Sequence, residues 1–285
     1  MEQELQLALS GLLAGFTYAL VAVGLTLVFG ITRVVNLSHG AFFALGAFVT
    51  CSVVQWGGRG FLALPLVFVL SLLLGMGLER WVIRPVRRHH AVVAIVTLAV
   101  AIFMEQIFQL VWGPDYQSIP RELPLVGFMG TLVDLQQIAA ALVAVVLLLV
   151  LFGLLRTRIG MAVRLVAQDP EGAALVGIDV PRVQTVVFGV ACGLAAVAGN
   201  LTAFAHSIYP AMGRVPLVMA LAVVIFGGLG NVHGALVAGL ILGLVASGVS
   251  FYVSPEWSYI TMLLVIAVGL LTRPSGLLGR VGRRD

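Results

Sequence analysis

Residues 7–30, LALSGLLAGFTYALVAVGLTLVFG, run for 24 positions without a charged side chain. A helix of about 20 apolar residues spans the hydrocarbon of a bilayer, whereas a barrel strand alternates apolar and polar residues over about 10. A run this long and unbroken therefore reads as a transmembrane helix. The residues before it, MEQELQ, are acidic rather than basic, so it does not read as a cleavable signal peptide and is kept as the first membrane helix. Further apolar segments follow at 37–54, 61–83, 91–112, 135–155, 183–206, 216–230, 234–252 and 259–272. The expected fold class is all-α: a polytopic transmembrane helix bundle of about eight or nine membrane segments. Segment 216–230 is short for a crossing and reads as broken or re-entrant.

Composition points the same way. The chain is 61% apolar and 10% charged, with a mean hydropathy of +1.12. That leaves too few polar residues for a hydrated globular surface, so lipid is the expected surroundings. The 33 glycines suit close helix approach. A formal charge of +4 is no nucleic-acid signal, because the basic residues are dispersed between apolar runs.

All sixteen basic residues are arginine. With the N-terminus outside, thirteen fall on the inner side: Arg33, then Arg80, Arg84, Arg87 and Arg88, then Arg156, Arg158, Arg164 and Arg182, and finally Arg273, Arg280, Arg283 and Arg284. Arg59, Arg121 and Arg214 remain outside. The positive-inside rule thus predicts an external N-terminus and a cytoplasmic C-terminus. Cys51 and Cys192 both lie in apolar segments, where a structural disulfide is not expected.

Two polar connections stand out by length. Residues 113–134, with Pro114, Pro120 and Pro124, read as an irregular external loop. Residues 156–182 have structure of their own. Ile159, Val163 and Val166 recur at helical spacing while Arg158, Arg164 and Gln168 point elsewhere, which predicts a short amphipathic helix. Asp169, Pro170 and Glu171 then supply an N-cap, a first-position proline and a first-turn acid. The second helix ends at Gly177, and Pro181 blocks its extension. A solvated connector needs neither caps nor an apolar stripe, whereas a docking element needs both.

Within this connection, EGAALVGIDVP at 171–181 resembles the EAA-type coupling loop by which permeases of bacterial ABC importers dock on their ATPases, with Gly172 standing where the first alanine is expected. Four stretches widen the resemblance: GLTLVFGITRVVNLSHGAFFALGAF at 24–48, TRIGMAVRLVAQDPEGAALVGIDVPRV at 157–183, FGGLGNVHGALVAGLILG at 226–243 and RPSGLLG at 273–279. Together they are similar to the LivH-type permease of branched-chain amino acid importers, a family whose relatives include permeases for urea and short amides.

The resemblance implies one permease domain over 1–285 in a bacterial inner membrane, with cytoplasmic coupling helices within 156–182. It further implies that two different permease subunits form the pore together, with two ATPase subunits on the cytoplasmic loops and a periplasmic solute-binding protein delivering cargo to the outer face. The coupling contacts would be Arg158, Gly160, Arg164, Asp169, Pro170, Glu171, Ala173, Ala174 and Gly177. The chain has no GxxxxGK[ST] motif and no lysine, so ATP hydrolysis by a Walker motif is not expected of it, and the permease resemblance implies that it is not an enzyme. ATP and Mg would be bound by the partner ATPases.

Candidates along a pathway come from the residues themselves. Asn36, His39 and Gly40, and again Asn231, His233 and Gly234, form a related turn that opens an apolar helix from the inner side. The turns are either capped, tightly packed helix starts or the lining of a cytoplasmic gate. Glu105 lies well inside its segment, where a charge costs about 3 kcal/mol, so it should face water or a partner, and Gln109 one turn on can share a hydrogen bond. Asn200 poses the same question on a smaller scale, with interhelical glue as its plain reading.

An apolar lining suits net-neutral aliphatic cargo such as leucine, isoleucine or valine. The rival readings are an ion-coupled secondary transporter, which should carry several paired ionisable groups or unwound helices at mid-membrane, a channel, and a membrane-embedded enzyme. His89 and His90 sit in a basic inner loop, where headgroup contact accounts for them.

Overall fold

The computed structural model describes residues 2–128, 131–272 and 276–278. Arg273, Arg280, Arg283 and Arg284 lie outside the described residues. The chain is a bundle of α1 (Glu2–Thr32), α2 (His39–Gln55), α3 (Leu64–Leu78), a π-helical turn (Glu79–Ile83), α4 (Arg84–Val86), α5 (His90–Trp112), a hairpin of β1 (Leu125–Phe128) and β2 (Thr131–Asp134), α6 (Leu135–Arg156), α7 (Arg158–Gln168), α8 (Pro170–Leu175), α9 (Val180–Thr202), α10 (Arg214–Gly227), α11 (Val232–Tyr252) and α12 (Pro255–Thr272). Six helical stretches are long and apolar enough to cross a membrane, and His39–Gln55, Arg214–Gly227 and Glu256–Thr272 are shorter apolar helices.

Small residues set the packing. Helix α1 lies against α11 along Gly11, Gly15 and Ala19, where a Cβ on Gly243 would land on the Gly15 backbone and one on Gly239 would sit 2.8 Å from the Ala19 Cα. Without water to drive association, helices in lipid gain from close van der Waals contact, and glycine permits it. Helix α9 is the most deeply buried. It takes α2 at Gly46 and Gly199, and α3 at Gly75, Gly189 and Gly193. The outer faces of α3, α5 and α6 expose Leu66, Leu73, Ile95, Phe103, Leu142 and Leu149, a surface that suits lipid and not water.

Two departures from the sequence reading matter. The first is α2. The His39 imidazole Nε2 donates to the Val21 carbonyl at 3.1 Å, and Val21 lies 11 residues, about 16 Å, above the end of α1 at Thr32. Leu37 N–H donates to Thr97 Oγ1 at 3.2 Å, well inside α5. Helix α2 therefore starts midway along the bundle, not at its inner end as 37–54 implied. Helix α10 begins beside it, for a Cβ on Gly40 would overlap the Gly213 carbonyl. The expectation of one broken segment at 216–230 becomes two shortened helices, of 17 and 14 residues, that meet N-terminus to N-terminus. Backbone freed at such a start must be satisfied internally, and Asn36 Oδ1 does so by accepting from Ser38 N–H at 3.0 Å and Ser38 Oγ at 2.6 Å.

The second departure is the 113–134 loop, which is not irregular throughout. Residues 125–128 pair antiparallel with 131–134, Val126 opposite Val133. Gln117 bridges Ile208 through both backbone groups at 2.8 Å. β-branched and apolar side chains favour that extended pairing. Helix α9 also begins three residues early, at Val180, because Asp179 Oδ1 caps it at Arg182 N–H (3.1 Å) and Pro181 sits in the first turn, where its missing N–H costs nothing.

The seam can be tested within one helix. A methyl at Gly243 collides with the Gly15 backbone, while Gly248 faces open space. Gly243→Ala should lower stability by about 1–3 kcal/mol, and Gly248→Ala should leave it unchanged or raise it slightly. Thermal unfolding of the two variants in detergent is the check.

Candidate functional site

The α7–α8 knob is built from the corner at Leu155. A Cβ on Gly160 would overlap the Leu155 backbone, so Gly160 must face inward, and this fixes the rotation of α7. The buried stripe is then Gly160, Val163, Val166 and Ala167, with Val166 fully enclosed. Ile159, expected in the stripe, is 69% exposed. Asp169 Oδ1 accepts from Gly172 N–H at 2.9 Å to cap α8. Gly177 ends the turn at φ +84° and donates to the Ala174 carbonyl at 3.0 Å.

Of the nine expected coupling residues, Gly160 and Ala173 are buried packing positions. Arg158, Arg164, Asp169, Pro170, Glu171, Ala174 and Gly177 are exposed. Sequence reasoning missed Leu175 and Val176, which are 89% and 68% exposed at the knob's tip. Their signal was an apolar pair just before the terminating glycine, one turn beyond the inward-facing Ala173.

Cavities lie at both ends of α1. At the α7 end a space of about 690 Å³ is lined by Arg33, Phe152, Arg164, Gln168, Asn231 and His233 among others. Here the structure brings together a knob residue and one of the two Asn/His/Gly turns. His233 stacks on Phe152 with ring centres 4.8 Å apart. Asn231 caps α11 at Gly234 N–H (3.1 Å) and donates to the Leu278 carbonyl at 2.7 Å. A Cβ on Gly234 would run into the Gly227 carbonyl. The other turn does not join it. Asn36, His39 and Gly40 are buried at mid-depth, so the expectation that both turns open helices from the inner side is corrected. At the opposite end a cavity of about 700 Å³ leads to a deeper one of about 140 Å³.

The charged and amide candidates are tied up between helices. Glu105 accepts two hydrogen bonds from Arg214, Nε to Oε1 at 2.9 Å and Nη2 to Oε2 at 2.5 Å. This bidentate pair joins α5 to the first residue of α10. Gln109, the expected partner, is exposed instead. A separation of 109 residues hid Arg214 from local reading. Asn200 donates to Thr50 Oγ1 at 2.5 Å and to the Gly60 carbonyl at 3.0 Å, clamping α9 to α2 and to the turn before α3. Glu79, which no motif flagged, is fully buried in the π-helical turn. It pairs with Arg87 and accepts from the Thr185 hydroxyl, and Arg87 donates to Gln184. Among the described residues no group of three or more His, Cys, Asp or Glu could hold a metal ion.

The family model described as "Branched-chain amino acid transport system / permease component" matches residues 7–270. The chain is 30% identical, over 97% of its length and 96% of the relative's, to the high-affinity branched-chain amino acid transport system permease protein LivH of Escherichia coli (strain K12). It is 29% identical, over 97% and 96%, to the corresponding permease protein BraD of Pseudomonas aeruginosa. It is also 25% identical, over 92% of its length and 67% of the relative's, to the permease protein LivM of Salmonella typhimurium. No solved structure matches.

Glu79 gives a clear stability test. Arg87→Ala strands an enclosed carboxylate and should cost about 3–5 kcal/mol, whereas replacing both Glu79 and Arg87 with leucine should recover most of that loss. Unfolding in detergent micelles measures both.

Proposed function

We infer that this chain, which belongs to the family of branched-chain amino acid transport permeases, is the permease subunit of an ABC importer and forms the membrane pathway for branched-chain amino acids. One observation carries the mechanism. The α7–α8 knob presents Leu175 and Val176 to its surroundings while the other side of α7, through Arg164 and Gln168, walls the inner cavity. Exposed apolar side chains on a rigid, capped projection suit a protein partner. A partner that moves the knob moves the inner mouth with it.

In this reading the N-terminus is external and the C-terminus cytoplasmic. The two shortened helices, each with its connecting segment, complete the nine crossings. The knob-side position of Arg156, Arg158, Arg164 and Arg182 supports this orientation by the positive-inside rule. Two ATPase subunits hold ATP and Mg and dock on the knobs, and a periplasmic binding protein delivers cargo to the outer cavity. The second permease is a different subunit, in keeping with likeness to both LivH and LivM relatives. The assembly sits in the bacterial inner membrane.

Co-expression with neighbouring genes, co-purification and leucine uptake into proteoliposomes test the proposal. An ATPase should co-purify and uptake should need ATP. Leu175→Asp with Val176→Asp should abolish co-purification and lower uptake at least about ten-fold. Thermal stability should stay within about 0.5 kcal/mol, since both positions are exposed. Uptake by the chain alone on an ion gradient would overturn the proposal.

A further inference from the structure

The two cavities at the end of α1 remote from the knob share a mouth. Thr17, Tyr18, Thr202, His206 and Tyr259 line both the larger and the smaller. Every one of these five carries a hydrogen-bonding group, and none carries a fixed charge. The rest of the smaller cavity is walled mostly by apolar side chains, among them Val21, Phe43, Met212, Met219 and Ala220, with Ser207 and Tyr209 as its further polar groups. Its floor lies at the depth where α2 and α10 begin, since Phe43 belongs to the first turns of α2 and Pro216 to the first turn of α10. Substrate sites in secondary transporters recur at such interrupted helices near mid-membrane. Underneath, α1 is closed off: Gly24 packs against His39 and Ala191, and the inner cavity resumes only at Thr26. From Val21 to Thr26 is about 8 Å of helix.

We propose that this mouth and pocket are a cargo subsite within the subunit, with the apolar pocket taking the aliphatic side chain of a zwitterionic amino acid and the hydroxyl-lined mouth holding its ammonium and carboxylate. The proposal rests on the importer reading and deepens it. Size and chemistry select the ligand class. An apolar cavity of about 150 Å³ is known to accept benzene, so a pocket of about 140 Å³ has room for an aliphatic side chain of three or four carbons and for nothing much larger than a six-carbon ring. A charged side chain would find no partner in it, because its lining contains no Asp, Glu, Lys or Arg. Selection is by fit, with methylene-level discrimination on the order of ten-fold or more.

The test is uptake by the complete importer in proteoliposomes, with saturating binding protein so that turnover reports the permease. Ala220→Val shortens the pocket and should lower leucine uptake relative to valine by about ten-fold. Met219→Ala lengthens it and should raise tryptophan, whose indole exceeds a six-carbon ring, relative to leucine by about the same factor. Because each readout is a ratio of cargos in one preparation, partial misfolding does not imitate it. If Ala220→Val fails to assemble, the enlarging variant decides alone. Ratios equal to wild type in the assembled variants overturn the subsite and leave the importer standing. A wild-type complex that moves no leucine with ATP overturns the importer reading itself, and the subsite with it.

Discussion

Close approach of backbones at glycine is the constraint on which the rest of this bundle depends. In lipid there is no hydrophobic gain from pressing one apolar helix on another, so contact area and complementarity must hold the helices together. Helix α1 meets α11 across Gly11, Gly15, Gly239 and Gly243, and α9 receives α2 and α3 at Gly46, Gly199, Gly75 and Gly189. With the central helices held this close, the interior has room for few polar groups. Several of those that enter form joints between helices: Asn200 with Thr50, Glu105 with Arg214, and Glu79 with Arg87 and Thr185. Each joint spans two or more elements, and each would be expensive if one partner were missing.

The positions of the helices were legible in the sequence because length and apolarity alone decide whether a segment can lie in a membrane. What those signals lack is depth. Residues 37–54 and 216–230 have the composition of spans, yet α2 and α10 start midway, and only contacts of His39 with Val21 and Gly40 with Gly213 reveal it. The caps at Asp169 and Asn231 and the terminating Gly177 were legible for a different reason. They act over two to four residues, so local chemistry suffices.

The candidate site was read less well, and again distance explains why. On α7, Val163 and Val166 of the expected stripe turn inward but Ile159 does not, because Gly160 must clear Leu155, a contact around a corner. Glu105 was recognised as needing a partner, but the partner lies on another helix. Glu79 stood next to Arg80 near the end of segment 61–83, and nothing local says that it is enclosed while Arg80 is exposed. The mouth residues Thr17, Tyr18, Thr202, His206 and Tyr259 come from three separated parts of the chain and share no motif.

The thin layer between the two cavities has an electrical consequence. Where water fills the spaces on either side it carries the bulk potential toward the centre, and most of a membrane voltage then falls across the packed layer at Gly24, His39 and Ala191 rather than across the whole bilayer. Moving one elementary charge through 100 mV is worth about 2.3 kcal/mol, and that work would be concentrated in a single short step. A zwitterion has no net charge to be driven or held back there. Its passage is blind to the resting potential, and the direction of transport is left to conformational change alone.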